Sequence, residues 1–441
     1  MTEASVSEGR RTWKGLRWLI LAVIFAAGAL NYIDRNVLSF TMIDMGFKRD
    51  LLGLDPSSAF SETDDALFKQ SMGIVDAAFK LGYALGFLIT AWAIMRFGLK
   101  FAYAAFITVW SLAGMAAAGA NGFAGLAAAR VVLAMAEAGH FPAAARTIAE
   151  WFPTNQRATA FGLFNASGNV GVVVAAWLIP VLTLAYGWRA SFLVAGAIGL
   201  VVCIAWLAIY RPLKEHPRLS ARELSLIEAD LPSGGDEAPR TWSDLLRDRR
   251  AWSFVGAKVI IDPVFWFYLT WLPDFFNSNE ALETKLTLAT IGIPFLIIFI
   301  VGDLGAIFFG WLSSKLLILG LSLNSARKSV MALCAICMLP LLSVAYVEGV
   351  WVAIALLTLA TGAHQGFSAI LFCSVTDLYP KSDVPRVIAM GGIGGALAGA
   401  AFAASIGFVR VEFGYAPIFS TAAIAYVVAL GIFHLAVPRY R

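Results

Sequence analysis

Apolar residues in this chain gather into runs of about 20, the helix length that crosses roughly 30 Å of hydrocarbon. Twelve runs can be counted, over 17–40, 68–94, 101–119, 122–149, 159–185, 189–210, 251–276, 287–312, 329–347, 350–374, 387–409 and 416–437. They predict an all-α membrane protein of twelve transmembrane helices. An even number of crossings returns both termini to one side. The longest polar stretch, 211–250, carries 8 basic and 8 acidic residues around PSGGDEAP (232–239) and follows the sixth run. It reads as a solvated linker, with some helix in LSARELSLIEADL. The expected organisation is an N-terminal six-helix half (1–210), a linker (211–250) and a C-terminal six-helix half (251–441).

The halves repeat weakly. AWAIMRFGLK (91–100) and GWLSSKLLIL (310–319) both show a small residue, Trp, three more residues and a base, 219 positions apart. EWFP (150–153) and DLYP (377–380) close corresponding runs, and each is followed by a basic residue, Arg157 or Arg386, and a Gly-rich run. Two related six-helix halves are a transporter signature, with the site expected between them near the midplane.

Composition supports the membrane reading. The chain is 59% hydrophobic and 14% charged, with a mean hydropathy of +0.76; soluble domains run near 45–50% apolar and about 25% charged. Of the 33 Lys and Arg residues, 23 fall on the side of the termini and 6 on the opposite side. The asymmetry predicts cytoplasmic termini. Arg10, Arg11, Lys14 and Arg17 precede a run too long for a cleavable signal, so the first run is expected to be retained. Trp18, Trp188 and Tyr440 near run ends are expected as interface anchors. Cys334 and Cys337 form a CxxC inside an apolar run, without a second ligand pair, and read as small buried residues.

The polar exceptions inside the runs carry the functional signal. NYIDRN (31–36) places Asp34 and Arg35 within the first run, and an Arg at the bilayer centre costs roughly 2.5–3.5 kcal/mol. Adjacent residues diverge by about 100° on a helix, so each is expected to meet a partner from another helix. In the second run Asp76, Lys80 and Tyr83 share a face; in the fourth, Arg130 and Glu137 lie two turns apart with His140 one turn beyond. The second half offers Lys258 and Asp262 four apart, Trp266, Tyr268 and Trp271 further along, Asp303, and His364–Gln365. Intramembrane ionisable residues mark substrate pathways or proton relays, although Asp76/Lys80 and Lys258/Asp262 also suit plain intrahelical ion pairs, Asp303 a helix contact and His364 a packing role. No phosphate loop, metal-ligand cluster or nucleophile constellation is legible. No enzyme activity, cofactor, metal site or nucleic-acid partner is therefore expected. A membrane enzyme using Glu137 and His140, or a sensor that binds without transport, finds no support.

Taken in order, these segments resemble the major facilitator superfamily. NYIDRN, RVVLAMAEAGHFPAAARTIAEWFP (130–153) and FNASGNVG (164–171) resemble its anion:cation symporter family. IIDPVFWFYLTWLP (260–273), DLGAIFFGWL (303–312), SARKSVM (325–331) and GAHQGFSAILFCSVTDLYP (362–380) look most like its hexuronate transporters. The resemblance implies a proton-coupled importer of a hexuronate such as glucuronate or galacturonate, with another organic anion (an aldonate, hexarate, tartrate or aromatic acid) as the alternative. It implies Arg35 as the clamp on a substrate carboxylate, Glu137 as the proton-binding group with Arg130 as its modulator, Asp34 as a second proton carrier, and Asn169 as a contact for hydroxyls. Asn165, Tyr83, Tyr268 and Gln365 offer further hydroxyl partners, with Trp266 and His364 beside them. Lys80 is not a general family feature and would suit a second carboxylate. The family's loop acid is replaced by Met95, and its second-half counterpart by Ser314. A monomer in the bacterial inner membrane, in contact with lipid, protons and a small organic anion, is the expected setting.

Overall fold

The computed structural model describes residues 13, 15–55, 57–228, 240–379 and 383–439. PSGGDEAP and Tyr440 lie outside the described residues. Eleven helices among the described residues are long and apolar enough to cross a membrane. The first span is Leu16–Thr41. The second and third form one run, Glu62–Ala117, that doubles back at Gly98 (φ 74°, ψ 158°), a left-handed conformation that glycine adopts without steric cost. The fifth to seventh spans are Thr154–Tyr186, Trp188–Ile209 and Arg249–Ser278. The tenth to twelfth are Val350–Leu378, Val384–Phe413 and Ala416–Ala436.

Three spans are interrupted. The fourth consists of two helices, Phe123–Glu137 and His140–Trp151, and completes the twelve. Its break has a local cause: Pro142 has no N–H to bond the carbonyl of residue 138, and the chain turns at Ala138–Gly139 before resuming. The eighth runs from Gly292–Leu296 through a π-helical turn, Ile297–Val301, into Gly302–Ile318. The ninth, Leu323–Met338, is extended by a short turn, Leu341–Val344.

Large apolar side chains cover the outside: Leu88, Val201 and Ile307 are each about two-thirds exposed, as lipid-facing positions are. Trp18 joins that surface, whereas Trp188 does not: it is buried, donates to Asp50 Oδ2 at 2.9 Å and packs edge-on against Phe47. A helix over Ala221–Glu228 in the linker is fixed to the first span by Arg17–Glu223 at 2.8 Å.

The end bearing the linker and the termini is called here the near end, the opposite one the far end. The halves meet through the first and seventh spans, where Ser39 donates to the Leu269 carbonyl at 2.7 Å. They meet through the second and eleventh, where a Cβ on Gly407 would lie 2.3 Å from the Lys69 carbonyl. Phe40 meets Phe295 edge-on at 5.2 Å, joining the first span to the eighth. These contacts all lie between the middle of the molecule and the far end.

Candidate functional site

The first span delivers Arg35 to the middle of the N-terminal half, and the fourth delivers Glu137 at its break. Close packing makes their meeting possible. Gly82 and Gly86 on the second span face the fourth; a Cβ on Gly86 would sit 2.4 Å from the Met135 carbonyl and 2.7 Å from the Ala138 side chain. Such four-residue spacing of small residues lets helix backbones approach within membranes. Arg35 Nε donates to Glu137 Oε2 at 2.9 Å, with side-chain exposures of 8% and 0%. Three rings surround the guanidinium, with centroids 4.8 Å (Tyr83), 5.1 Å (Tyr32) and 5.5 Å (Trp266) from its carbon. Tyr32 and Tyr83 come from the N-terminal half and Trp266 from the other, so the cation is held where the halves meet.

This pair leaves polar capacity unused. Arg35 Nη2, Glu137 Oε1 and Asp34 Oδ2 are buried without hydrogen-bond partners. Arg130 does not bond Glu137, the residue on its own stripe. It donates to the Asp34 backbone carbonyl at 3.1 Å, and its guanidinium lies over the Phe79 ring at 4.5 Å. Arg35 thus meets a partner from another helix, as expected, while Asp34 contributes its carbonyl and keeps one carboxylate oxygen unpaired. His140 is buried nearby and bonds Tyr103 at 2.6 Å.

Lys80 forms the intrahelical pair that its spacing from Asp76 suited. It is 1% exposed, so its ammonium is held within its own helix. Its Nζ nevertheless lies 5.2 Å from the centroid of the Trp266 ring that also faces Arg35. Asp76 reaches across the halves, accepting from Trp271 Nε1 at 3.3 Å and Thr270 Oγ1 at 3.5 Å.

In the C-terminal half, Gln365 Nε2 donates to Asp303 Oδ1 at 3.0 Å, and both residues are half-buried. Lys258 and Asp262 pair at 2.7 Å within the seventh span. Tyr268 and His364 are not brought to the accessible surface. Tyr268 is fully buried with no partner for its hydroxyl. His364 bonds Tyr426 and stacks on Phe265 at 4.7 Å with the planes 1° apart, a packing histidine. On the fifth span Asn165 is exposed and Asn169 half-buried. Both lie on the stripe that continues through Val172 to Ala176, which meets Gly292 of the eighth span, so the stripe faces the opposite half.

The sequence reading thus selected Arg35, Glu137, Tyr83 and Trp266, which come together, noted Trp271 without giving it a partner, and missed Tyr32 and Thr270. Tyr32 sits three residues before Arg35, a spacing that puts both on one helix face; Thr270 carried no signal.

Residues 24–326 match the Major Facilitator Superfamily. The chain is 26% identical over 423 residues to the hexuronate transporter of Escherichia coli K12, covering 94% of this chain and 92% of that protein. It is 30% identical over 391 residues to a probable galactarate/D-glucarate transporter of Bacillus subtilis, covering 85% and 80%. Among solved structures, the fold matches a bacterial homolog of the human lysosomal transporter Spinster, inward-facing and occupied, with a TM-score of 0.70, 17% identity and coverage of 97% and 98%. With a family match over most of its length, spans closing on one another at one end and polar side chains gathered where its halves meet, the chain is a membrane transporter, not an enzyme, and belongs to the Major Facilitator Superfamily.

Proposed function

We propose that this protein imports a sugar acid together with protons, most simply a hexuronate such as glucuronate or galacturonate. The observation that carries the reading is the buried Arg35–Glu137 pair. A guanidinium is a permanent cation whose planar fork matches a carboxylate. A substrate carboxylate arriving at Arg35 competes with Glu137 for the same donors. A lone carboxylate buried without its cation is costly by several kcal/mol, so Glu137 takes up a proton as it lets go. Anion binding and proton uptake become one event, which is the requirement for symport. Protons moving inward offset the roughly 2.3 kcal/mol per charge per 100 mV that opposes anion entry. Asp34, with one unpaired oxygen beside Arg130's contact, is assigned a second proton. Asn165 and Asn169 are assigned to substrate hydroxyls.

The setting is a bacterial inner membrane, as for the bacterial relatives, with termini assigned to the cytoplasm by the excess of basic residues on that side. The near end is then cytoplasmic, and the closed far end belongs to an inward-facing state. A second reading, a dicarboxylic hexarate, draws on Lys80 and Arg35 facing the same Trp266 ring and on the names of relatives.

Uptake of labelled glucuronate into proteoliposomes tests the proposal. Accumulation is expected with an inward proton gradient and lost when protonophore collapses it. Arg35→Ala abolishes uptake; Glu137→Gln keeps exchange and loses accumulation. Full accumulation by Glu137→Gln removes its assigned role.

A further inference from the structure

The sugar-acid reading places the carboxylate at Arg35 and hydroxyls at Asn165 and Asn169, all in the N-terminal half, and leaves the side of the substrate that faces the C-terminal half unassigned. Across the interface stands an acid that the proton-coupling reading does not use. Asp303 lies two residues beyond the π-helical turn Ile297–Val301 in the eighth span, and single π turns inside helices recur at functional sites. Its carboxylate is half-buried and, among the described residues, makes one hydrogen bond, with Gln365. A carboxylate has about four acceptor positions, so most of its capacity is free. Nor is the bond needed to join the eighth and tenth spans. That is done by glycine: a Cβ on Gly305 would lie 2.4 Å from both the Cα and the carbonyl oxygen of Gly362. The first and eighth spans run in opposite senses and meet at Phe40 and Phe295; Tyr32 lies about two turns before Phe40 and Asp303 about two turns after Phe295, so the acid stands at the depth of Tyr32, the ring beside Arg35. A substrate seated between the halves therefore has a cation at one end and an anion with an amide at the other.

We propose that Asp303 and Gln365 read the hydroxyl end of the substrate, and that Asp303 makes the protein select monocarboxylic sugar acids over dicarboxylic ones. The inference rests on the sugar-acid reading and chooses within it. Hydroxyl groups donate to a carboxylate in charge-assisted bonds, while Gln365 supplies both a donor and an acceptor. A hexarate would bring a second carboxylate to Asp303 instead, and like charges set against each other at a binding surface cost several kcal/mol. The cation that would welcome that carboxylate, Lys80, is committed to Asp76 and buried.

The test is competition against labelled glucuronate in exchange mode, using the full-length protein in proteoliposomes, with unlabelled glucuronate and glucarate as competitors. In the wild type, glucarate is expected to compete at least about tenfold less well than glucuronate. Asp303→Asn keeps an acceptor and loses the charge; it should weaken glucuronate and strengthen glucarate, bringing the two within about threefold of each other. Asp303→Ser serves as a second variant should the first misfold, and the wild-type ratio needs no variant at all. A wild type that prefers glucarate, or a ratio unchanged in both folded variants, overturns this proposal and leaves the sugar-acid reading standing. A folded wild type that takes neither acid overturns both.

Discussion

Arg35 and Glu137 are buried to 8% and 0% exposure in the middle of a membrane protein, and each is the other's only charged hydrogen-bond partner among the described residues. Breaking such a pair by removing one member strands a charge in a poor dielectric, at a cost of about 3–5 kcal/mol, whereas replacing both with apolar side chains of similar volume is often neutral. Three rings around the guanidinium soften but do not remove that cost. Glu137→Ala is therefore expected to lower the melting temperature in detergent far more than Glu137→Gln, which keeps an oxygen to accept from Arg35 Nε. The double variant Arg35→Met/Glu137→Met should melt close to the wild type while transporting nothing. A double variant as unstable as Glu137→Ala would mean that the site's stability comes from shape alone. The pair thus carries a stability penalty that appears only when one partner is missing.

At the scale of helices, the site exists because backbones approach closely. Gly82 and Gly86 press the second span onto the fourth beside Glu137, which brings Tyr83 to the guanidinium that Glu137 holds. Gly86→Leu should cost about 1–3 kcal/mol by overpacking and weaken substrate binding, with Gly86→Ala intermediate, both measured by detergent melting with and without sugar acid. A Leu variant with unchanged melting would mean the second span shifts freely. Much of this level was legible in the sequence. The runs gave twelve spans, and four-residue spacings gave the Asp76–Lys80 and Lys258–Asp262 pairs, because intrahelical neighbours depend only on the helical repeat. What lies between helices was less legible. Arg130 shares a stripe with Glu137 yet bonds the Asp34 carbonyl, and Tyr268 and His364 turn into the core, because rotation of each helix is set by its neighbours' surfaces. Pro142 carried the signal for the break after Glu137. The π turn before Asp303 left no local mark.

For the whole molecule, the question is what holds the halves together at the far end. A chain of charges runs across it. Lys48 pairs with Asp65 at 3.1 Å, Lys69 with Asp65 at 2.6 Å, and Lys69 Nζ stands 4.0 Å from Asp274 of the opposite half. Asp274 is buried and accepts from Tyr415 and from Ser278, the latter at 3.2 Å. Lys69–Asp274 joins the second span to the seventh, so it exists only while the far end is closed; the bonds to Tyr415 and Ser278 lie within one half and survive opening. Removing the Asp274 charge therefore penalises one state selectively, and a selective penalty of about 1.4 kcal/mol shifts a two-state balance tenfold. Ser39 reports that balance, being 1% exposed and bonded to the Leu269 carbonyl across the halves. In a background with Cys203, Cys334, Cys337 and Cys373 replaced, Ser39→Cys should react slowly with a membrane-impermeant thiol reagent applied from the far side. Adding Asp274→Asn should raise that rate about tenfold and leave the melting temperature nearly unchanged, because the residue keeps its intra-half acceptor. An unchanged labelling rate would place the latch elsewhere, at Asp76 with Trp271 and Thr270, and the same reporter with Asp76→Asn would then carry the shift.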